Sequence, residues 1–250
     1  MDTTKQGERI AKVIARAGFC SRRDAERWIS QGRVSVNGKV LNSPAFTVGP
    51  TDRILVDGKP LPVPEAPRLF LYHKPVGLVT TARDEKNRPT VFAHLPENLP
   101  RVVSVGRLDL TSEGLLLLTN DGGLARYLEL PATGLQRCYR ARVHGAVNAP
   151  RLAKLAQGIT VDGVRYGPIE TRIERGSGSN TWISVALKEG RNREIRKVMA
   201  HLGLQVTRLI RTAYGPFQLG DLRPGAVAEV PPTTLKEKLA DYFALASELA

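Results

Sequence analysis

Gly106-Arg107-Leu108-Asp109-Leu110-Thr111-Ser112-Glu113-Gly114 runs directly into the apolar tetrad Leu115-Leu116-Leu117-Leu118 and then into Thr119-Asn120-Asp121-Gly122. The tetrad is too short to span a membrane and is bounded by turn residues, so it reads as a buried strand. A carboxylate, Asp109, then stands at the mouth of that strand, two residues after Arg107. An Asp beside Thr and Gly ordinarily caps a turn by bonding the backbone two residues on. In a chain this basic, an acidic group in a glycine-bounded segment is also a candidate for chemistry.

Around this strand lie further strand-like segments at 69–73, 102–105, 137–143, 182–187 and 205–210, with helical patterns between them. Strand and helix do not alternate strictly, so the pattern predicts an α+β domain with a mixed or antiparallel sheet rather than a doubly wound one. Arg175-Gly176-Ser177-Gly178-Ser179-Asn180 reads as a flexible loop between strands, and 233–249 as a terminal helix. There is no P-loop and no G-x-G-x-x-G, so nothing calls for a nucleotide cofactor.

The first 63 residues form a separate, smaller pattern. Residues 8–17 read as a helix with Ile10, Val13, Ile14 and Ala17 on one face, ended by Gly18. Ser21 precedes Arg22-Arg23-Asp24, a capping box opening a second helix that turns Ala25, Trp28 and Ile29 inward and closes at Gly32. Asn37-Gly38 and Asp57-Gly58 are turn signals. Pro60, Pro62, Pro64 and Pro67 mark a stiff connection around 61–67. The predicted organisation is therefore 1–63, a linker at 64–67, and a larger domain at 68–250.

The chain has 250 residues, with 37 Lys+Arg against 24 Asp+Glu, a formal charge of +13 and a pI near 10.1. That excess points to a polyanionic partner. No long apolar run supports a membrane role, and Met1-Asp2-Thr3-Thr4-Lys5 lacks the apolar stretch of a signal peptide. Cys20 and Cys138 form no C-x-x-C pair, and His73, His94, His144 and His201 show no metal-ligand spacing. A cytoplasmic, metal-free protein is the expectation.

A carboxylate alone is not an active site; something must keep Asp109 ionised and aimed. The candidate is Glu189-Gly190-Arg191-Asn192-Arg193-Glu194-Ile195-Arg196-Lys197-Val198-Met199, where Asn192 reads as the cap of a helix with Ile195, Val198, Met199 and Leu202 as its apolar stripe. An arginine from this segment beside Asp109 would depress its pKa and orient it. Read alone, the same arginines make a solvated or phosphate-binding face.

These segments, with Cys138-Tyr139-Arg140 and His73-Lys74-Pro75-Val76-Gly77, resemble the motifs of RsuA-type pseudouridine synthases, in family order along nearly the whole chain. Ala17-Gly18-Phe19-Cys20-Ser21-Arg22-Arg23 and Gly32-Arg33-Val34-Ser35-Val36-Asn37-Gly38 resemble the signature of the S4 RNA-binding domain. The subgroup most similar is the RluB type, which acts on large-subunit ribosomal RNA.

The resemblance implies a pseudouridine synthase fold, no cofactor, and a ribosomal RNA or pre-ribosomal particle as partner, with a monomer expected. It implies Asp109 as the catalytic residue, Arg196 as its partner and Tyr139 as the base-stacking ring. Arg107 would fill the space of the extruded base, Ile195 line the pocket, and Arg191 and Arg193 contact phosphate. Lys74 would support the site on the substrate side, and Arg16, Arg22, Arg23, Arg27 and Arg33 would bind RNA from the S4 module. Cys138 departs from the family, which has a basic residue there. Whether Asp109 attacks the sugar C1′ or abstracts a proton is left open; either route requires the carboxylate.

Three other readings use parts of the pattern. A non-catalytic RNA-binding or ribosome-assembly factor explains the charge and the small module, but not the joint occurrence of the Asp109, Tyr139 and Arg196 motifs. The same reaction on small-subunit RNA is a second. A glycosidase pairing Asp109 with Glu113 gives no use for the net charge.

Overall fold

The computed structural model describes residues 7–177 and 179–248; Met1–Lys5, which carry the reading of the N-terminus, and Leu249 lie outside the described residues. The chain divides into two compact units, Met1–Pro67 with Asn120–Gly122, and Arg68–Thr119 with Gly123–Ala250.

In the first unit the helices are Ile10–Arg16 and Arg22–Ser30. The predicted start at Glu8 is corrected: Glu8 and Arg9 pair antiparallel with Val48 and Thr47, and Ile10 N–H donates to Phe46 O at 3.0 Å, holding the entry extended. The second helix opens on the expected capping box, with Asp24 N–H donating to Ser21 Oγ at 3.0 Å and Ser21 N–H donating back to Asp24 at 3.4 Å. Asn37 and Gly38, and again Asp57 and Gly58, adopt the positive φ that a two-residue hairpin turn demands. The resulting strands order as Lys39–Val40, Val34–Val36, Ile54–Val56 and Lys59–Pro60. Ile10, Ile14, Ala25, Ile29, Val34 and Val56 fill one core, with Leu61 against it. Pro60 thus belongs to a strand, and residues 61–68 carry no regular structure.

The second unit is built on a nine-stranded sheet. Its order is Ile169–Ser177, Asn180–Leu187, Arg137–His144, Gln205–Tyr214, Glu113–Thr119, Leu69–Lys74 and Val227–Glu229; Phe217–Gln218 and Val103–Val105 pair off this path. Every pairing is antiparallel except that of Gln205–Tyr214 with Glu113–Thr119.

The leucine tetrad explains why Glu113–Thr119 lies inside this sheet. Successive side chains of a strand face opposite ways. Leu115 and Leu117 enter a core with Leu124, Leu128, Tyr214 and Leu235, while Leu116 and Leu118 enter another with Phe70, Tyr72, Val91 and Leu108. All four are fully buried, so both faces are covered and no polar alternation survives in the sequence. Each such leucine contributes about 1.5–3 kcal/mol by burial. At the strand's entry Gly114 has φ +104°, and a Cβ there would stand 2.3 Å from Arg211 O, so the parallel pairing depends on glycine.

Two expectations need correction, and one hairpin had no expectation. Residues 175–177 and 180 are not loop: Ile169–Ser177 and Asn180–Leu187 pair up to Ser177 opposite Asn180. The terminal helix is two helices, Pro232–Lys238 and Ala240–Glu248. The hairpin Ile159–Val161 and Val164–Tyr166 went unpredicted, although its Asp162-Gly163 turn carries the same signal as Asp57-Gly58.

Candidate active site

Asp109 sits on the loop between Val103–Val105 and Glu113–Thr119, and the loop's backbone is fixed almost residue by residue. Gly106 N–H donates to Glu129 Oε1 at 2.6 Å. Leu108 O accepts from Thr80 Oγ1 at 2.9 Å, Leu110 O from Gly77 N–H at 2.8 Å, and Asp109 O from Ser112 N–H at 3.0 Å.

Two cations complete the clamp. Lys74 is fully buried, and its Nζ donates to Pro75 O at 3.0 Å, Asp109 O at 3.1 Å and Ser112 O at 2.9 Å. Arg196 donates through Nη2 to Thr111 O at 3.0 Å and through Nη1 to Val206 O at 2.9 Å. The substrate-side role expected of Lys74 is therefore corrected: with no exposed surface it holds the loop from beneath.

Burial pushes the Lys74 ammonium down to about 8, against the opposing pull of Asp109 and Glu113. The ammonium has three N–H donors for three carbonyls, and the neutral amine has two. Turnover should fall as pH rises through about 8, where the side chain gives up one of those carbonyls. Lys74→Met should be slower at neutral pH and lack that alkaline limb. Paired pH–rate profiles check this; a limb persisting in the Met variant would assign it to another group. Because the folded value lies below the unfolded one, the unfolded state holds more protons between about 8 and 10.5, and Lys74's contribution to global stability rises with pH across that window.

Asp109 opens into a cleft of about 670 Å³, within the range of small-molecule sites. Leu108, Tyr139, Ile195 and Leu209 supply its apolar wall, and Arg107, Arg137, Lys188, Arg191, Arg193 and Arg211 outnumber Asp109, Glu129 and Glu189 among its charges. The cleft thus combines a flat apolar lining with a cationic rim, which suits a heterocyclic base attached to a phosphate chain. Ile195 and Tyr139 both line the cleft, and Arg107, also in its lining, is exposed.

The arginine segment departs from expectation. Asn192 does not cap the helix Glu194–His201: Arg193 takes that position at φ +53°, with no side-chain cap, and the Glu194 carboxylate turns back to accept from Arg191 N–H at 3.0 Å. A left-handed arginine costs about 1–2 kcal/mol. The direct ion pair with Asp109 is made by Arg193, Nη1 to Oδ2 at 3.5 Å, and not by Arg196. The helix aims Arg196 at the loop's carbonyls instead, so it orients Asp109 through the backbone. Arg191 pairs with Glu189 at 3.0 Å.

Two cleft residues escaped the sequence reading. Arg211 lies opposite Tyr139 in the strand pairing, is 3% exposed, and donates through Nε to Leu115 O at 2.6 Å. Its buried Nη2 has no partner among the described residues. Arg137 donates through Nη2 to Tyr214 Oη at 2.7 Å and lies over that ring. Arg137 falls on a strand expected from the sequence, whereas Arg211 lies one residue past the expected end of another, at 210, and only register brings the two to the cleft. Glu113 points the other way, to Arg208 Nε at 2.5 Å, so it is not the carboxylate that a glycosidase would pair with Asp109.

In the small unit Arg16 pairs with Glu8 at 2.6 Å, Arg27 with Asp24 at 2.8 Å and Arg33 with Asp57 at 2.5 Å. Arg22 and Arg23 are exposed, with no ion-pair partner among the described residues. Among the described residues no group of three or more His, Cys, Asp or Glu could hold a metal ion, and no helix is long and apolar enough to cross a membrane.

A family model described as RNA pseudouridylate synthase matches residues 68–201, and one described as S4 domain matches residues 8–54. An uncharacterized RNA pseudouridine synthase of Rickettsia prowazekii is 45% identical over 94% of this chain and 99% of its own length. The ribosomal large subunit pseudouridine synthase B of Yersinia pestis is 41% identical over 85% of this chain and 69% of its own. A crystal structure of a pseudouridylate synthase superposes with a TM-score of 0.64 at 26% identity, covering 92% of this chain and 99% of that one.

Proposed function

This chain belongs to the RNA pseudouridylate synthase family and carries an S4 domain, and from that premise we propose that it converts one uridine of large-subunit ribosomal RNA to pseudouridine, with Asp109 as the reacting carboxylate. The N1–C1′ bond breaks, the ring turns, C5 bonds to C1′, and the C5 proton leaves to solvent as N1 takes one up. The isomerisation consumes no second substrate or cofactor.

The uridine must leave its stack for these atoms to be reached, at a cost of a few kcal/mol. Arg107 at the cleft mouth takes the vacated space, Tyr139 stacks on the uracil with Ile195 against it, and Arg191 and Arg193 meet the flanking phosphates. Arg22 and Arg23 offer the S4 domain's uncommitted charges to the same RNA. The enzyme acts as a monomer in the cytoplasm, on ribosomal RNA or an assembling particle.

The observation that carries this reading is the Asp109 carboxylate on an immobilised loop, facing an apolar wall that contains Tyr139. Pseudouridine mapping of under-modified ribosomal RNA incubated with the pure protein tests it. One new pseudouridine in the large-subunit RNA is expected; a site in small-subunit RNA would correct the target, and tight binding without modification would leave an RNA-binding factor in an enzyme's fold.

A further inference from the structure

The face of the sheet opposite the cleft carries a basic array that the reaction does not use. Four strands bring Arg175, Trp182, Arg142 and Arg208 into one transverse row, each opposite the next. Two residues along on three of the strands, and three along on the outer one across the irregularity between Ile173 and Arg175, Arg172, Ser184, Arg140 and Ile210 form the neighbouring row. Strands lie about 4.8 Å apart, so each row is about 14 Å wide. Tyr139, Ala141 and Val143 alternate with these positions and face the cleft side.

Trp182 is fixed between two guanidinium groups, Arg140 at 4.9 Å and Arg208 at 6.0 Å from its ring centre. Those two arginines are already matched, to Glu174 at 2.7 Å and Glu113 at 2.5 Å. Arg142, Arg172 and Arg175 are exposed and have no ion-pair partner among the described residues. Arg142 and Arg175 line a hollow of about 350 Å³ with Gly176, Asn180 and Trp182. Arg142 stands opposite Arg208, whose charge Glu113 already meets, so the unmatched charge of the rows lies on Arg142, Arg172 and Arg175, and a polyanion laid across the rows meets it. A phosphate chain fits better than an acidic protein segment, because the guanidinium forks stand on a rigid, flat, open face.

We propose that this face is a second RNA-contact surface, holding the phosphodiester backbone of RNA outside the target loop; it rests on the reading of the chain as an RNA-modifying enzyme. Contacts of this kind are independent of sequence and add affinity for a large RNA without touching the reacting uridine.

The test uses the full-length protein with Arg142→Gln and Arg175→Gln together, against a long unmodified large-subunit RNA transcript and a short stem-loop containing the target uridine. The double variant should bind the long transcript about tenfold more weakly, and its slope of log affinity against log salt should shrink by about 2. Turnover on the short stem-loop should not change. Arg142→Lys with Arg175→Lys should keep most of the slope. An unchanged affinity and slope for the long transcript would overturn the proposal while leaving the cleft's assignment standing. Unchanged RNA binding together with a failure to associate with assembling particles would give the face to a protein, and also overturns it. If the unaltered protein neither binds nor modifies RNA, the cleft reading and this one fall together.

Discussion

Asp109→Asn should abolish turnover and leave RNA binding in place. Asparagine keeps the shape of the side chain, and the loop that carries it is held by backbone contacts from Lys74, Arg196, Thr80, Gly77 and Glu129, none of which uses the carboxylate. The substitution breaks one ion pair, the 3.5 Å approach of Arg193, between groups that are 31% and 48% exposed. Such a pair contributes about 0–1 kcal/mol at most, so stability and loop geometry survive. What disappears is the anion that either attacks C1′ or removes a proton, a role worth on the order of 10²–10⁴ even for proton transfer alone. Removing a negative charge from a cationic cleft also leaves phosphate attraction intact or stronger. Release of tritium from RNA labelled at uridine C5 measures the fall in turnover, and filter binding measures the affinity. An Asn variant that still releases tritium would end the assignment of Asp109; one that neither binds nor turns over would point to a structural role.

Local chemistry made much of this legible. The capping box at Ser21 and the turns at Asn37-Gly38 and Asp57-Gly58 each involve residues within four positions of one another, so the sequence carries the whole interaction. The leucine tetrad was legible as a buried strand because a strand covered on both faces needs no polar residue. The failures are of the opposite kind. Asn192 has the right chemistry for a cap, but the backbone at Arg193 turns left-handed and Glu194 takes over the contact with Arg191. Lys74 sits before a proline and a glycine, a context that reads as exposed, and only the loop's return from 35 residues away buries it among carbonyls. The row of Arg175, Trp182, Arg142 and Arg208 exists only through the register of four strands, which no local pattern specifies. The stretch at 175–180 misled because its glycines and serines suggest a loop, although the pairing of the two adjacent strands continues to Ser177 opposite Asn180.

Arg196→Ala should cripple the enzyme more severely than Arg193→Ala, although Arg193 is the arginine in contact with the Asp109 carboxylate. Arg193 is half exposed, and its contact is a single long ion pair, so its removal costs less than about tenfold. Arg196 ties three elements together: its own helix, the Asp109 loop through Thr111 O, and the strand Gln205–Tyr214 through Val206 O. Burial and the nearby Arg193 charge pull its pKa down, opposed by Asp109, yet guanidinium stays charged at any working pH. Alanine would leave both carbonyls without these donors and release the loop on the side where the reacting carboxylate projects. A displacement of about 1 Å at such a group is enough to slow the reaction on the order of 10²-fold. The effect should fall on kcat, with KM for RNA little changed, because Arg196 is not among the cleft's lining residues. Arg196→Lys should recover only part of it, since a single ammonium cannot span Thr111 O and Val206 O in the geometry of the fork. Steady-state kinetics on one RNA substrate for the three variants decides the matter. If Arg193→Ala is the slower enzyme and Arg196→Ala turns over near normally, orientation runs through the carboxylate contact and not through the loop's backbone.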